Sequence, residues 1–290
     1  MIFYSPDDQA AAKEKADQCF KRVRDLDAVF SDYRDDSELT LLCQKPVRTV
    51  HPVSPDLFAV LSFAQTVSAR SGGAFDITLG RDTKQWRARR DGTEPPDDSG
   101  EKRQGDYRSL VLDPEKQTVL FQASLQLDLG GIAKGYIADQ LMSLLKQSGI
   151  KRAAVIIGGE IVLAEAPPGK DGWRIGLSDP AQKVIGSLVL SNTALSTSGD
   201  TYQFFQEDGG EREAHLIDPT SRKGKSNRLN VTTIAPTAMQ ADAWATALRI
   251  LPMAKALEIA AEESGLEACF IPLEGPRQQT PAFPEPARKR

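Results

Sequence analysis

The chain has 290 residues, 40% apolar and 26% charged, with a formal net charge of −4. This composition is far from that of disorder, and the length suffices to bury a sizeable core as one large domain or two small ones. A net negative chain without a basic stripe excludes general affinity for nucleic acid or anionic membranes, and Cys19, Cys43 and Cys269 lie too far apart for a zinc site or a disulfide framework.

Ser5-Pro6 reads as an N-cap followed by proline at the first helical position. Phe20, Val23, Leu26 and Phe30 then recur at spacings of three and four, which predicts an amphipathic helix of roughly six turns. Residues 31–53 read as loop with short extended pieces. Ser54-Pro55 announces a second helix with Leu57, Val60, Leu61, Ala64 and Val67 on one stripe, stopping at Gly72-Gly73. Residues 72–80 then lead into an extended segment, and 91–105, dense in Asp, Glu, Pro and Gly, read as a surface loop. Residues 110–112 and 118–121 flank Asp113-Pro114-Glu115-Lys116 as a hairpin, and 125–129 form a third extended run. The chain turns at Gly130-Gly131 into a helix carrying Ile137, Leu141, Leu144 and Leu145.

The second half is mainly β, with short strands predicted at 153–157, 161–164, 173–177, 187–190, 201–205, 215–217 and 231–234. Thr237-Ala238-Met239-Gln240 matches a capping box that opens a helix continuing through 241–251. The Pro- and charge-rich residues 276–290 are expected to be a disordered tail on a domain spanning 1–275. The alternation of β runs with helices places the chain in the mixed α+β class.

Three features could carry chemistry. In Asp128-Leu129-Gly130-Gly131-Ile132-Ala133-Lys134-Gly135-Tyr136 the glycines let backbone N–H groups approach an anion at a helix N-terminus, although neither a Walker A loop nor GxGxxG is present. Asp242 and Thr246, four apart on the capped helix, present oxygens on one face within reach of one hard cation such as Mg²⁺. Their plain alternative is a solvated acid and a threonine bonded to its own helix. His215 stands at a strand end before Leu216-Ile217-Asp218-Pro219, suited either to a general base or to a structural ring. Two glycine-bearing turns, 72–80 and Thr197-Ser198-Gly199-Asp200, fit simple turn chemistry.

Taken in order, Ser31-Asp32-Tyr33 with Ser37-Glu38, GGAFDITLG, LDLGGIAKGYIAD, IIGGE, STSGD, HLIDP and VTTIAP followed by ADAWATAL resemble the ApbE family of FAD:protein FMN transferases. The resemblance implies an α+β, ApbE-like fold of mixed β-sheets with flanking helices and FAD in a cleft between two lobes. It implies FAD contacts at Tyr33, Ala74, Phe75, Asp76, Asp128, Gly131, Lys134, Ser198 and Ile217. The metal ligands it implies are Asp242, Thr246 and a main-chain carbonyl at Ile137, and His215 matches the histidine that assists the acceptor. The implied reaction is Mg²⁺-dependent transfer of FMN from FAD to a threonine hydroxyl of an acceptor flavoprotein, releasing AMP. Alternatives are FAD binding or delivery without transfer, and hydrolysis of FAD to FMN and AMP.

The chain departs from the family pattern in places. It opens about where the family's first strand ends, so that strand is expected to be missing. Arg81-Asp82 follow Gly80 where Pro-Leu is common, and Thr220-Ser221-Arg222 follow Pro219 where Thr-Gly is typical. Relatives are commonly periplasmic and tethered by a lipid. Met1 here opens onto polar Ser5-Pro6-Asp7-Asp8 without the apolar core of a signal peptide, so a periplasmic or envelope location is expected from the resemblance and a cytoplasmic one from these residues.

Overall fold

The computed structural model describes residues 1–94, 105–201, 203–206 and 212–287. Its first elements are β1 (Ile2–Tyr4), α1 (Gln9–Phe30), α2 (Glu38–Cys43), β2 (Val50–Pro52), α3 (Pro55–Arg70) and α4 (Gly80–Asp91). There follow β3 (Leu110–Asp113), β4 (Thr118–Phe121), α5 (Ala133–Gln147), β5 (Arg152–Ile157), β6 (Glu160–Leu163), β7 (Trp173–Ser178) and β8 (Val184–Leu190). The last are β9 (Thr193–Ser198), β10 (Phe204–Gln206), β11 (Arg212–Ala214), β12 (Leu229–Ala235), α6 (Ala238–Ile250), α7 (Met253–Glu262), β13 (Glu267–Pro272) and β14 (Gln278–Gln279).

The chain divides into two units. One comprises Met1–Asp25, Ile132–Thr201 and the chain from Asn227 onward. Its sheet has the order β1-β5-β6-β9-β12-β13-β14, with every neighbouring pair antiparallel. The period of two along β5 divides the core: Ala153 and Val155 join Leu141, Leu145 and Ala194 on the face under α5, while Ala154 packs with Trp173, Leu177, Leu188 and Phe283. β12 is buried along its whole length, and α6 packs against it, against β9 and against α5.

The second unit comprises Leu26–Gly131 and Tyr202–Ser226. It holds a three-stranded sheet of order β2-β4-β3, the helices α2, α3 and α4, and the β10–β11 hairpin. The segment after α3 runs alongside the third extended run of the sequence: Leu79 bridges Gln126 in parallel, and the Asp128 N–H donates to the Ile77 carbonyl.

Most of the predicted elements form, and the differences have local causes. α1 begins at Gln9 because Asp8, not Ser5, accepts the Ala11 N–H. α2 is too short to display a helical period, yet Ser37 caps it by accepting the Thr40 N–H. α4 buries Gly80, Asp82, Trp86 and Ala88, too few apolar side chains among its arginines to give an apolar stripe. Residues 197 and 198, read as turn, complete β9, whereas 125–129 make a single bridge rather than a strand. Residues 95–104, most of the predicted surface loop, lie outside the described residues. Past Leu251, beyond the last predicted element, α7 and β13 form.

Ile2–Tyr4 pairs antiparallel with β5. The expected disordered tail also differs from what is observed. From Gln278 to Ala287 the tail is packed: β14 pairs with β13, Phe283 is buried and Ala287 bridges Ser187. One buried phenylalanine and a short ladder outweigh the solubility of the surrounding charges. Cys19 and Cys269 are buried and Cys43 half-buried, all three as free thiols. Burial pushes Cys43 up to about 11 and Cys269 up to about 12. Among the described residues no helix is long and apolar enough to cross a membrane.

Candidate functional site

The glycine turn delivers the chain into α5, whose N-cap residue, Ile132, makes no side-chain cap. Ile132 thus offers no side-chain oxygen to the first-turn donors, one of which, the Gly135 N–H, is held instead by Asp242 of α6. α6, by contrast, is capped twice: Thr237 accepts the Gln240 N–H, and Asp139 from α5 accepts the N–H groups of Ala238 and Met239. This pins the start of α6 to α5.

Asp242 follows in the second turn of α6 and is 3% exposed. Its Oδ2 accepts the Gly135 backbone N–H at 3.0 Å and lies 3.8 Å from the Lys134 Nζ. The same ammonium is 3.5 Å from Oε1 of Glu160, the acid that closes the IIGGE motif. Burial raises the Asp242 carboxyl above its usual value; burial first, then the charge of Asp242, pushes Glu160 up to about 8. Glu160 Oε2 has no hydrogen-bond partner among the described residues. Thr246, half-buried, lies one turn beyond Asp242.

Ile137 sits in the second turn of α5 with its side chain against the core. A helix-interior carbonyl keeps a second lone pair after its intrahelical bond. No group of three or more His, Cys, Asp or Glu among the described residues could hold a metal. A cation here would rest on one or two carboxylates and neutral oxygens, which suits Mg²⁺. Two buried carboxylates facing one ammonium, with an orphaned oxygen, fit such an ion.

Ser198 ends β9 beside this sheet, half-buried. Beyond it the turn to Asp200 is tied to α6 by Arg249, which is fully buried with Nη2 3.9 Å from Asp200 Oδ2. Burial brings Arg249 down to about 10, against the opposing pull of Asp200.

In the other unit, Tyr33 is 75% exposed with the Arg87 guanidinium 4.3 Å over its ring. Arg87 bridges Asp32 at 2.6 Å and Asp128 at 3.1 Å. Asp128 also accepts the Gly130 N–H, which fixes the entry to the glycine turn beside Gly131. Burial, then the charge of Asp128, raises the Asp32 carboxyl. Phe75 is buried between half-buried Ala74 and Asp76, and Asp76 Oδ1 accepts both the N–H and the hydroxyl of Thr78. Ala74 to Asp76 thus leads into Ile77, which bonds Asp128 in the adjacent run.

His215 lies just past the end of β11 rather than within a strand. Its Nδ1 is 3.2 Å from the Gln203 carbonyl oxygen. A carbonyl can only accept, so Nδ1 carries the proton and Nε2 is the basic atom. The ring meets the Trp86 edge at 6.2 Å, and Trp86 with Leu79, Ile217 and Phe205 forms a small apolar cluster. Sequence periodicity could not find Trp86, because its helix has no apolar stripe.

Asp82 and Arg222, two separate departures from the family pattern, pair with each other: Arg222 donates from Nε and Nη2 to Asp82 Oδ1 at 2.8 and 2.7 Å. Arg222 holds φ +56, in the left-handed region. The pair ties α4, which carries Trp86, to the loop after His215.

These features define a mixed α+β protein with an acidic, lysine-bridged site where the start of one helix meets a second helix. The ApbE family model matches residues 2–270, and the chain belongs to the ApbE family. It is 32% identical over 289 residues to the FAD:protein FMN transferase of Treponema pallidum, covering 92% of this chain and 80% of that one. Solved structures agree. The apo flavinyl transferase ApbE of Pseudomonas stutzeri matches with TM-score 0.81 and 29% identity, over 94% of this chain and 87% of that one. The ApbE protein of Thermotoga maritima matches with TM-score 0.84 and 25% identity, over 97% and 92%.

Proposed function

We propose that this transferase moves FMN from FAD to a threonine hydroxyl of an acceptor protein, with Mg²⁺ as its cation and AMP as the second product. The observation that carries the reading is the junction of α5 and α6, where the Asp242 carboxylate meets the Gly135 N–H and the Lys134 ammonium immediately after the glycine turn. Similarity to proteins named FAD:protein FMN transferase supports the flavin donor and the protein acceptor.

Asp242 and Thr246 would hold the cation, with the Ile137 carbonyl as the main-chain ligand. When bound, Mg²⁺ supplies positive charge to the diphosphate as negative charge develops there. The glycine turn at the start of α5 and Lys134 bind and orient the phosphates. Tyr33, Ala74, Phe75, Asp76, Asp128, Gly131, Ser198 and Ile217 contact FAD. In the transfer, the threonine oxygen bonds to the FMN phosphorus and the P–O bond to AMP breaks, AMP keeping the electron pair. The hydroxyl proton goes to His215 Nε2, whose tautomer the Gln203 carbonyl sets. The proposal places this work in the periplasm or cell envelope, on the family resemblance alone.

The test is to incubate the chain with FAD, Mg²⁺ and a threonine-bearing acceptor, measuring AMP and acceptor mass together. One FMN added per AMP released is expected, and His215→Ala lowers kcat by about 10²–10⁴-fold. AMP released equally without acceptor, or FAD bound without AMP, would replace transfer with hydrolysis or with flavin carriage.

A further inference from the structure

Glu160 is the buried acid that the proposed reaction leaves without a task. It opens β6 directly after Gly158-Gly159 and is 4% exposed, with Oε2 lacking any hydrogen-bond partner among the described residues. Its Oε1 and the Asp242 Oδ2 flank one ammonium, at 3.5 and 3.8 Å from Lys134 Nζ. The lysine is the shared counter-charge of the two acids. Two ionised carboxylates against one ammonium would carry a net negative charge, a state that burial penalises.

Lys134 is the exposed member of the three. Its side chain is 41% exposed while the acids are 5% and 4% exposed, and its stem is four flexible carbons. Gly158, with φ +63, keeps the space beside both partners open: a Cβ there would come within 3.3 Å of Glu160 Oε2 and 3.9 Å of the lysine stem.

We propose that Glu160 is a second carboxylate for the divalent cation that Asp242 holds, and that this cation displaces the Lys134 ammonium from between the two acids. The inference rests on the reading that Asp242 binds a cation. Mg²⁺ sites commonly use one or two carboxylates with substrate phosphates completing the shell, and Glu160 and Asp242 are the two acids beside Lys134. The ammonium and the ion are alternative counter-charges for one pair of acids. Once displaced, the solvent-reaching ammonium is available to an anion beside the ion, so cation binding and phosphate binding reinforce each other.

The test is Mn²⁺ binding to the full chain without FAD, followed by electron paramagnetic resonance of the free ion. Glu160→Gln is expected to weaken Mn²⁺ binding by about 10–100-fold. Lys134→Met is expected to tighten it, because the competing charge is gone, and Asp242→Asn to remove it. If Asp242→Asn removes binding while Glu160→Gln leaves it unchanged, Glu160 is no ligand and the Asp242 site stands. If Asp242→Asn leaves binding intact, the underlying cation assignment fails. Unchanged or weaker binding in Lys134→Met overturns the displacement. Thermal melts serve as the folding control, and Glu160→Gln is expected to melt no lower than the parent, since it relieves like-charge crowding.

Discussion

Asp242→Asn is expected to lower Mg²⁺-dependent FMN transfer by at least about 10³-fold, roughly 4 kcal/mol of lost transition-state stabilisation. The same substitution is expected to leave the folded protein as stable as before or more so. Asn keeps an oxygen that can accept the Gly135 N–H, now made to Asp242 Oδ2 at 3.0 Å, so the link between α5 and α6 persists. What disappears is a buried negative charge that crowds Glu160, a charge that burial already disfavours. Loss of activity together with a maintained melting temperature is the signature of a residue kept for function at some cost to the fold. Assays of AMP release beside calorimetric melts check both halves. An undiminished rate contradicts the assignment, and a collapsed melt makes Asp242 a structural acid.

Gly135→Ala is expected to be the most damaging single-methyl change in the molecule's β1-to-β14 unit. A Cβ at Gly135 would lie 2.2 Å from the Ala238 carbonyl oxygen, 2.6 Å from its carbon and 2.7 Å from the Met239 nitrogen. All three are backbone atoms at the start of α6, where Asp139 also grips the Ala238 and Met239 N–H groups, so none can swing aside. The helices must separate, at a cost of about 1–3 kcal/mol or more, and the melting temperature falls by roughly 5–10 °C. Mn²⁺ affinity falls with it, because Asp242 is positioned by the Gly135 N–H. Gly176→Ala in β7 is the control: its Cβ would meet only Val184 Cγ1, at 3.8 Å, and its melt should be unchanged. A Gly135→Ala protein with the parent's melt and Mn²⁺ affinity would contradict this account of the junction.

The parts of this site legible in sequence are those with local signals. The Thr237 cap and the spacing of Asp242 and Thr246 predict a helix presenting two oxygens, and α6 forms with Thr237 as its cap. The glycines of the turn mark where α5 begins. Relations across distance were not legible. Glu160 sits in a motif beside two glycines, but nothing local says that its carboxylate faces an ammonium from α5. Asp82 and Arg222 each stood out as departures, and only the fold shows that they meet. α4 hid because its inward face is one tryptophan among arginines, and with it went the ring against which His215 rests. The tail looked disordered because its composition is polar, while it is packed by buried Phe283 and by short pairings to β13 and β8.

The most direct measurement is anomalous scattering from crystals of the full chain grown with Mn²⁺ and FAD. The account predicts a peak at about 2.0–2.2 Å from an Asp242 carboxylate oxygen and near the Thr246 hydroxyl, with FAD phosphate oxygens in its shell. Bound FAD with Mn²⁺ on its phosphates and Asp242 contacting only Gly135 and Lys134 would contradict it.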